Sequence, residues 1–228
     1  MVSVKENFFE IKDEINRACL RVDREPEAVS VIAVTKYVSL ERTKEALQAG
    51  IRHIGENRIE GGVEKREAIP DIGTWHFIGN LQSKKVKHIV GHFDYLHSLD
   101  RMSLAKEIQK RFEGQAPLKC FVQVNVSGEE SKSGLTPEET IPFIEELRHY
   151  PAIEVVGLMT MAPFVDDPED VRPYFKQLRE LKEAVEKRNY PHAPCRELSM
   201  GMSNDYKVAV EEGATFVRVG SALLGKER

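Results

Sequence analysis

Lys36 closes a short apolar, β-branched run, Val31-Ile32-Ala33-Val34-Thr35. Such a run reads as a buried strand. A lysine at its end admits two readings. Its stem can lie on apolar surface while its ammonium reaches water. Alternatively the amine sits desolvated at the mouth of a site, where it attacks a carbonyl and forms a Schiff base. Near the other end of the chain, two stretches pass from strand to helix through small and polar residues. They are Ser199-Met200-Gly201-Met202-Ser203-Asn204-Asp205 and Gly220-Ser221-Ala222-Leu223-Leu224-Gly225, with Arg218 just ahead of the second. Backbone N–H groups at helix starts face anions, and small side chains let a phosphate come close. Either glycine alone reads better as an ordinary turn residue. Taken together, one amine, one guanidinium and two open turns suit a phosphorylated aldehyde, provided that the fold brings them to one place.

The elements between them say how that could happen. Phe8, Ile11, Ile15, Ala18, Cys19 and Val22 recur at helical spacing, which predicts an extra amphipathic helix at the N-terminus. Strands are predicted over 31–35, 51–56, 75–79, 93–98, 118–124, 153–159, 196–200 and 215–219. Helices are predicted over 40–49 after Ser39, 58–67, 84–90 after Ser83, 101–112 and 168–188. Another starts at Thr136-Pro137-Glu138-Glu139, which has a cap, an early proline and a capping-box carboxylate. Strands alternating with helices imply right-handed parallel βαβ units, and eight units imply a closed (β/α)8 TIM barrel of about 250 residues. With 228 residues, one α/β domain over 1–228 is expected and no second one. The working face of such a barrel lies at the C-terminal ends of its strands. Strand eight closes against strand one, so Arg218 and Lys36 should become neighbours. Residues 127–134 read as a loop that could close over a ligand.

Composition narrows the class. Hydrophobic residues make up 41% and charged residues 31%, as in a globular chain. A net charge of -4 argues against general nucleic-acid or anionic-membrane binding. No apolar run approaches the roughly 20 residues of a membrane span, and the first residues lack the apolar centre of a signal peptide. Cys19, Cys120 and Cys195 are odd in number and far apart, which suggests a reducing cytosol and a cytoplasmic protein. No metal is expected: His88 and His92 are four apart, but Gly91 interrupts them and no thiol or carboxylate motif accompanies them. His76 reads as a satisfied core histidine.

The chain resembles the pyridoxal-phosphate homeostasis proteins, single-domain relatives of the alanine racemase barrel. The resemblance covers nearly the whole chain. It rests on Ala33-Val34-Thr35-Lys36, Gly55-Glu56-Asn57-Arg58, Trp75-His76-Phe77-Ile78-Gly79, Leu81-Gln82-Ser83-Lys84-Lys85-Val86-Lys87, Gly157-Leu158-Met159-Thr160-Met161, Leu198-Ser199-Met200-Gly201-Met202-Ser203 and Val217-Arg218-Val219-Gly220-Ser221. It implies that pyridoxal 5'-phosphate is the cofactor, that Lys36 is the Schiff-base lysine, and that Arg218 faces the pyridine nitrogen. It further implies that Ser199, Gly201, Ser203, Gly220 and Ser221 meet the phosphate, and that Asn57 and Met200 wall the ring. Ser221 stands where such proteins often carry threonine, and it keeps the hydroxyl.

A bound cofactor is not yet a reaction. Carbanion chemistry is strongest when a carboxylic acid protonates the ring nitrogen, and arginine does not give up its proton. Racemisation also needs an acid or base on each face of the substrate carbon. In the racemases the second group comes from a further domain and a partner subunit, so the resemblance implies a monomer without that group. The expectation is therefore a protein with no catalytic residues, which buffers the cofactor or hands it to apo enzymes. The alternative is a racemase of low activity using Lys36 with Tyr37, Tyr206 or a histidine. A Schiff-base aldolase without a cofactor stands behind both.

Overall fold

The computed structural model describes residues 3–70, 72–112 and 114–225. Ser3 accepts from the Glu6 N–H and Glu6 accepts from the Ser3 N–H, a capping box that starts α1 (Val4–Arg21). The apolar stripe of α1 buries Ile11, Ile15, Ala18 and Cys19. Then β1 (Ser30–Val34), α2 (Leu40–Gln48), β2 (His53–Glu56), α3 (Ile59–Ala68) and β3 (Thr74–Phe77) follow. A 3-10 helix (Ser83–His88) leads to β4 (Tyr95–Leu99), α4 (Met102–Phe112) and β5 (Leu118–Gln123). The second half continues with α5 (Pro137–Glu146), β6 (Ile153–Met159), α6 (Arg172–Glu186), β7 (Glu197–Met202), α7 (Tyr206–Glu211), β8 (Phe216–Val219) and α8 (Ser221–Leu224). The helix α1 packs on α7, α8 and α2.

The eight strands close into one parallel barrel in sequence order, and β8 pairs with β1 through Ile32 and Arg218, Ala33 and Val219. Strands covered on both faces carry near-continuous apolar runs. Accordingly Val31, Ile32 and Ala33 are all buried. Side chains still alternate in direction. Val31, Ala33, Ile54, Trp75, Phe77, Leu198 and Met200 join the helices in the large outer core. Ile32, Phe121, Val156, Met159 and Phe216 form a small inner cluster.

Three expectations need correction. The helix expected over 84–90 is a 3-10 helix over Ser83–His88, and its tight turns bury only Val86. The long helix expected over 168–188 begins as a 3-10 turn, Pro168–Val171, and becomes α-helical from Arg172, because Pro173 is tolerated only in a first turn. The seventh strand runs on to Met202, past the expected end at 200, and its register against β8 shifts between Ser199 and Met202.

Candidate cofactor site

Thr35 comes directly after β1 and fixes the turn beyond it. Its carbonyl accepts from the Val38 N–H at 3.2 Å, closing the turn that carries Lys36 and Tyr37. The same carbonyl accepts from Lys65 Nζ at 2.6 Å. Glu56, 1% exposed at the end of β2, accepts from Thr35 Oγ1 at 2.5 Å and from Lys65 Nζ at 2.7 Å. A buried carboxylate is stable only when paired and hydrogen-bonded, and both conditions are met. The result is a braced turn from which the half-buried Lys36 extends. Its Nζ lies 5.0 Å from the centre of the exposed Tyr37 ring.

Asn57 follows Glu56. Its side-chain Oδ1 is buried and has no hydrogen-bond partner among the described residues. Such an orphan is costly unless something fills it. Gly79, after β3, sits so close to Asn57 that a Cβ there would come 2.4 Å from the Asn57 carbonyl oxygen. Glycine thus lets the ends of β2 and β3 draw together.

Arg218 projects from β8, 5% exposed. Its Nη1 donates to Ser199 Oγ at 2.6 Å and its Nη2 to the Thr160 carbonyl at 2.9 Å. Burial pushes the Arg218 pKa down to about 10, opposed by the Asp205 carboxylate, so the group stays charged at neutral pH. Burial likewise raises Asp205, against its hydrogen bond from the Met202 N–H and the charge of Arg218. Asp205 Oδ1 accepts that N–H at 2.6 Å and so holds the turn after β7.

These groups meet at one cavity of about 780 Å³, lined by Lys36, Asn57, Ser203, Arg218, Gly220 and Ser221 among others. Gly220 and Ser221 open α8, where the first amides precede the helix's own bonding. Ser199, Met200 and Gly201 are predicted site residues that do not line it. Ser199 is fully buried beneath, where it holds Arg218. Met200 packs in the outer core. Gly201, at φ +89°, turns toward α7, where a Cβ would meet Ala209 Cβ at 2.5 Å. The register shift brings Met202 to the cavity wall in their stead. Sequence reasoning missed Met202 for that reason. It also missed the stretch after β6, where Met161, Pro163 and Phe164 form a rim. Residues 127–134 do not line the cavity. The Asn125 side chain folds that loop back by donating to the Glu129 carbonyl at 2.9 Å.

An amine, a guanidinium, an unpartnered acceptor and an open small-residue turn form a binding constellation for an anionic carbonyl compound. Among the described residues no group of three His, Cys, Asp or Glu is placed to hold a metal ion. Comparison with known proteins decides the family. Residues 11–228 match the family model of the alanine racemase N-terminal domain. The pyridoxal phosphate homeostasis protein of Aquifex aeolicus is 41% identical over 225 residues, 98% of each chain. That of Vibrio cholerae is 37% identical over 232 residues, covering 99% of this chain and 97% of the relative.

This chain belongs to the pyridoxal phosphate homeostasis protein family.

PipY of Synechococcus elongatus has been solved with PLP bound. It is 33% identical and superimposes with a TM-score of 0.83, covering 98% of this chain and 100% of PipY. An alanine racemase from E. faecalis shares the fold alone: 18% identity, a TM-score of 0.69, and 97% of this chain matched to 58% of the racemase. The homeostasis proteins are thus matched along nearly their whole length, the racemase over little more than half of its own.

Proposed function

We propose that this protein binds pyridoxal 5'-phosphate at the mouth of the barrel and serves vitamin B6 homeostasis by holding and releasing it. The observation that carries the reading is that Lys36 and Arg218, 182 residues apart by number (218 less 36), line one cavity beside the open turn at Gly220 and Ser221. The residues present fit the group. The cavity volume of about 780 Å³ lies within the usual ligand range of roughly 300–1,000 Å³. Lys36 would supply the amine that bonds the aldehyde. Ser203, Gly220 and Ser221 would take the phosphate, and the Asn57 orphan oxygen would accept from the bound molecule. Once bound, the cofactor supplies an electron sink for amino-acid chemistry.

Arg218 argues for a carrier. Two of a guanidinium's five N–H groups are used on Ser199 and Thr160. A ring nitrogen held by the others would remain an acceptor without a proton, and the sink would stay weak. Among the second bases considered for a racemase, Tyr206 is excluded from the cavity: it is buried and bonded to Glu14. No histidine lines the cavity among the described residues. Tyr37 alone of that set reaches it, and Tyr37 is what favours the second reading, a slow racemase.

The finer reading is a cytoplasmic monomer that passes cofactor to apo enzymes. Buried free thiols at Cys19, Cys120 and Cys195 suit a reducing compartment. Among the described residues no helix is long and apolar enough to cross a membrane.

The test is a visible spectrum of the purified protein before and after Lys36→Ala, with mass mapping of the borohydride-reduced adduct. The expected result is a visible band lost in Lys36→Ala and a reduced adduct on Lys36. An adduct mapped elsewhere, or an unchanged band, overturns the assignment. Steady racemisation of purified amino acids that disappears in Lys36→Ala would replace the carrier with the enzyme.

A further inference from the structure

Beneath the cavity, three histidines form a line through the barrel. His53 Nδ1 lies 2.9 Å from His76 Nε2, His76 Nδ1 lies 2.9 Å from His97 Nε2, and His97 Nδ1 lies 2.9 Å from Ser199 Oγ. Ser199 Oγ is the atom that accepts from Arg218 Nη1 at 2.6 Å. The outer end, His53, lines a second cavity of about 190 Å³ together with Ser30, Val31 and Arg52, where β1 and β2 begin. The line therefore spans the barrel from its lower end to Arg218.

Counting hydrogens gives the line a direction. Arginine only donates. The hydroxyl proton of fully buried Ser199 needs an acceptor, and among the described residues His97 Nδ1 is the one in reach. His97 therefore carries its proton on Nε2 and donates it to His76 Nδ1. His76 in turn carries its proton on Nε2 and donates to His53 Nδ1. Every imidazole in the line is then neutral with its proton on Nε2. A further proton would set two N–H groups against each other. Reversing the line instead would leave the Ser199 hydroxyl without an acceptor beside a guanidinium.

We propose that His97, His76 and His53 are positioning residues, a one-way line of neutral imidazoles that keeps Ser199 an acceptor and so aims Arg218 at the cofactor cavity. The link to a cofactor rests on the function proposed above; the direction of the line does not. Surroundings keep the line neutral. His97 stacks on Phe121 of β5 at 4.3 Å and faces the charge of Arg218 from β8. His76 stacks on Tyr95 of β4 at 4.5 Å, and Lys119 of β5 lies 5.3 Å from the centre of that Tyr95 ring. His53 meets Phe216 of β8 edge-on at 5.2 Å. Lys12 of α1 and Arg52 share its small cavity. Burial holds His76 and His97 well below the usual imidazole range, and charge repulsion adds to it. Burial lowers His53 too, against the pull of Asp94.

The first test uses cofactor-free protein labelled with nitrogen-15 in histidine. Long-range proton–nitrogen correlation at neutral pH should show the Nε2–H form for His53, His76 and His97. An Nδ1–H or doubly protonated ring at His97 or His76 overturns the proposal. The second test compares His97→Asn, whose side-chain oxygen can replace Nδ1 as acceptor, with His97→Phe, which has none. His97→Phe should weaken cofactor binding about tenfold, the scale of one buried hydroxyl left without its acceptor, and His97→Asn should recover most of it. Equal affinity in His97→Phe and unmodified protein overturns the proposal, and should His97→Phe not fold, the labelled spectrum decides alone. A cofactor that fails to bind even unmodified protein refutes the function instead, and the labelled spectrum still judges the line.

Discussion

At the scale of single residues, the site depends on groups that never touch the cavity. Glu56 and Lys65 brace the turn of Lys36 from behind. Removing one partner strands a buried charge, which costs about 3–5 kcal/mol. Lys65→Ala is therefore expected to lower stability by about that much in denaturant melts, and to loosen the turn of Lys36 so that cofactor loading falls with it. Ser199→Ala is a milder case. It deprives buried Arg218 of an acceptor, with an expected loss of about 1–3 kcal/mol and a weaker hold on the cofactor in a spectral titration. Lys36 and Arg218 were legible in the sequence because Lys36 closes the first apolar strand run and Arg218 interrupts the last one, and a closed ring of strands makes those two runs neighbours. The pairing of Glu56 with Lys65 was not, because a helix surface lysine looks the same whether or not a strand-end carboxylate lies beneath it.

At the scale of elements, close approach between strand ends shapes the cavity wall. Gly79 sits against the Asn57 backbone, and a Cβ at 2.4 Å from the carbonyl oxygen has nowhere to go. Gly79→Ala is expected to push the ends of β2 and β3 apart, at about 1–3 kcal/mol, and to lower cofactor affinity more than the lost stability predicts. Thermal melting and spectral titration of one sample separate the two effects. The strands and most helices were readable from short apolar, β-branched runs, helical spacing and caps. The stretch 84–90 was not, because its lysines and histidine are compatible with either helix type and Ser83 suggested a cap. The Ser199–Met202 shift was not either, since alternation counted from Ser199 gives no sign that a strand slips against its neighbour.

At the scale of the whole molecule, closing the barrel buries His76 and His97 completely. Both are held neutral, with pKa values lowered well below 6.5, first of all by burial. In the unfolded chain the same groups bind protons as pH falls through 6.5. Between that value and the lower folded values the unfolded state holds more protons, so stability rises with pH and is lost on acidification. Urea unfolding should thus show lower stability near pH 5.5 than near pH 7.5, and a His76→Phe, His97→Phe double variant should show a smaller difference between the two. The order of amino acids by itself determined the rhythm of strand and helix, and with it the ring that joins residue 36 to residue 218, because burial periodicity and helix caps act over a few residues. Only the tertiary structure decided that Ser199 would hold Arg218 from below, that Met200 and Gly201 would face the helices, and that three distant histidines would touch. Those outcomes depend on the register between neighbouring strands, which is set by packing across the barrel and leaves no local trace in either strand.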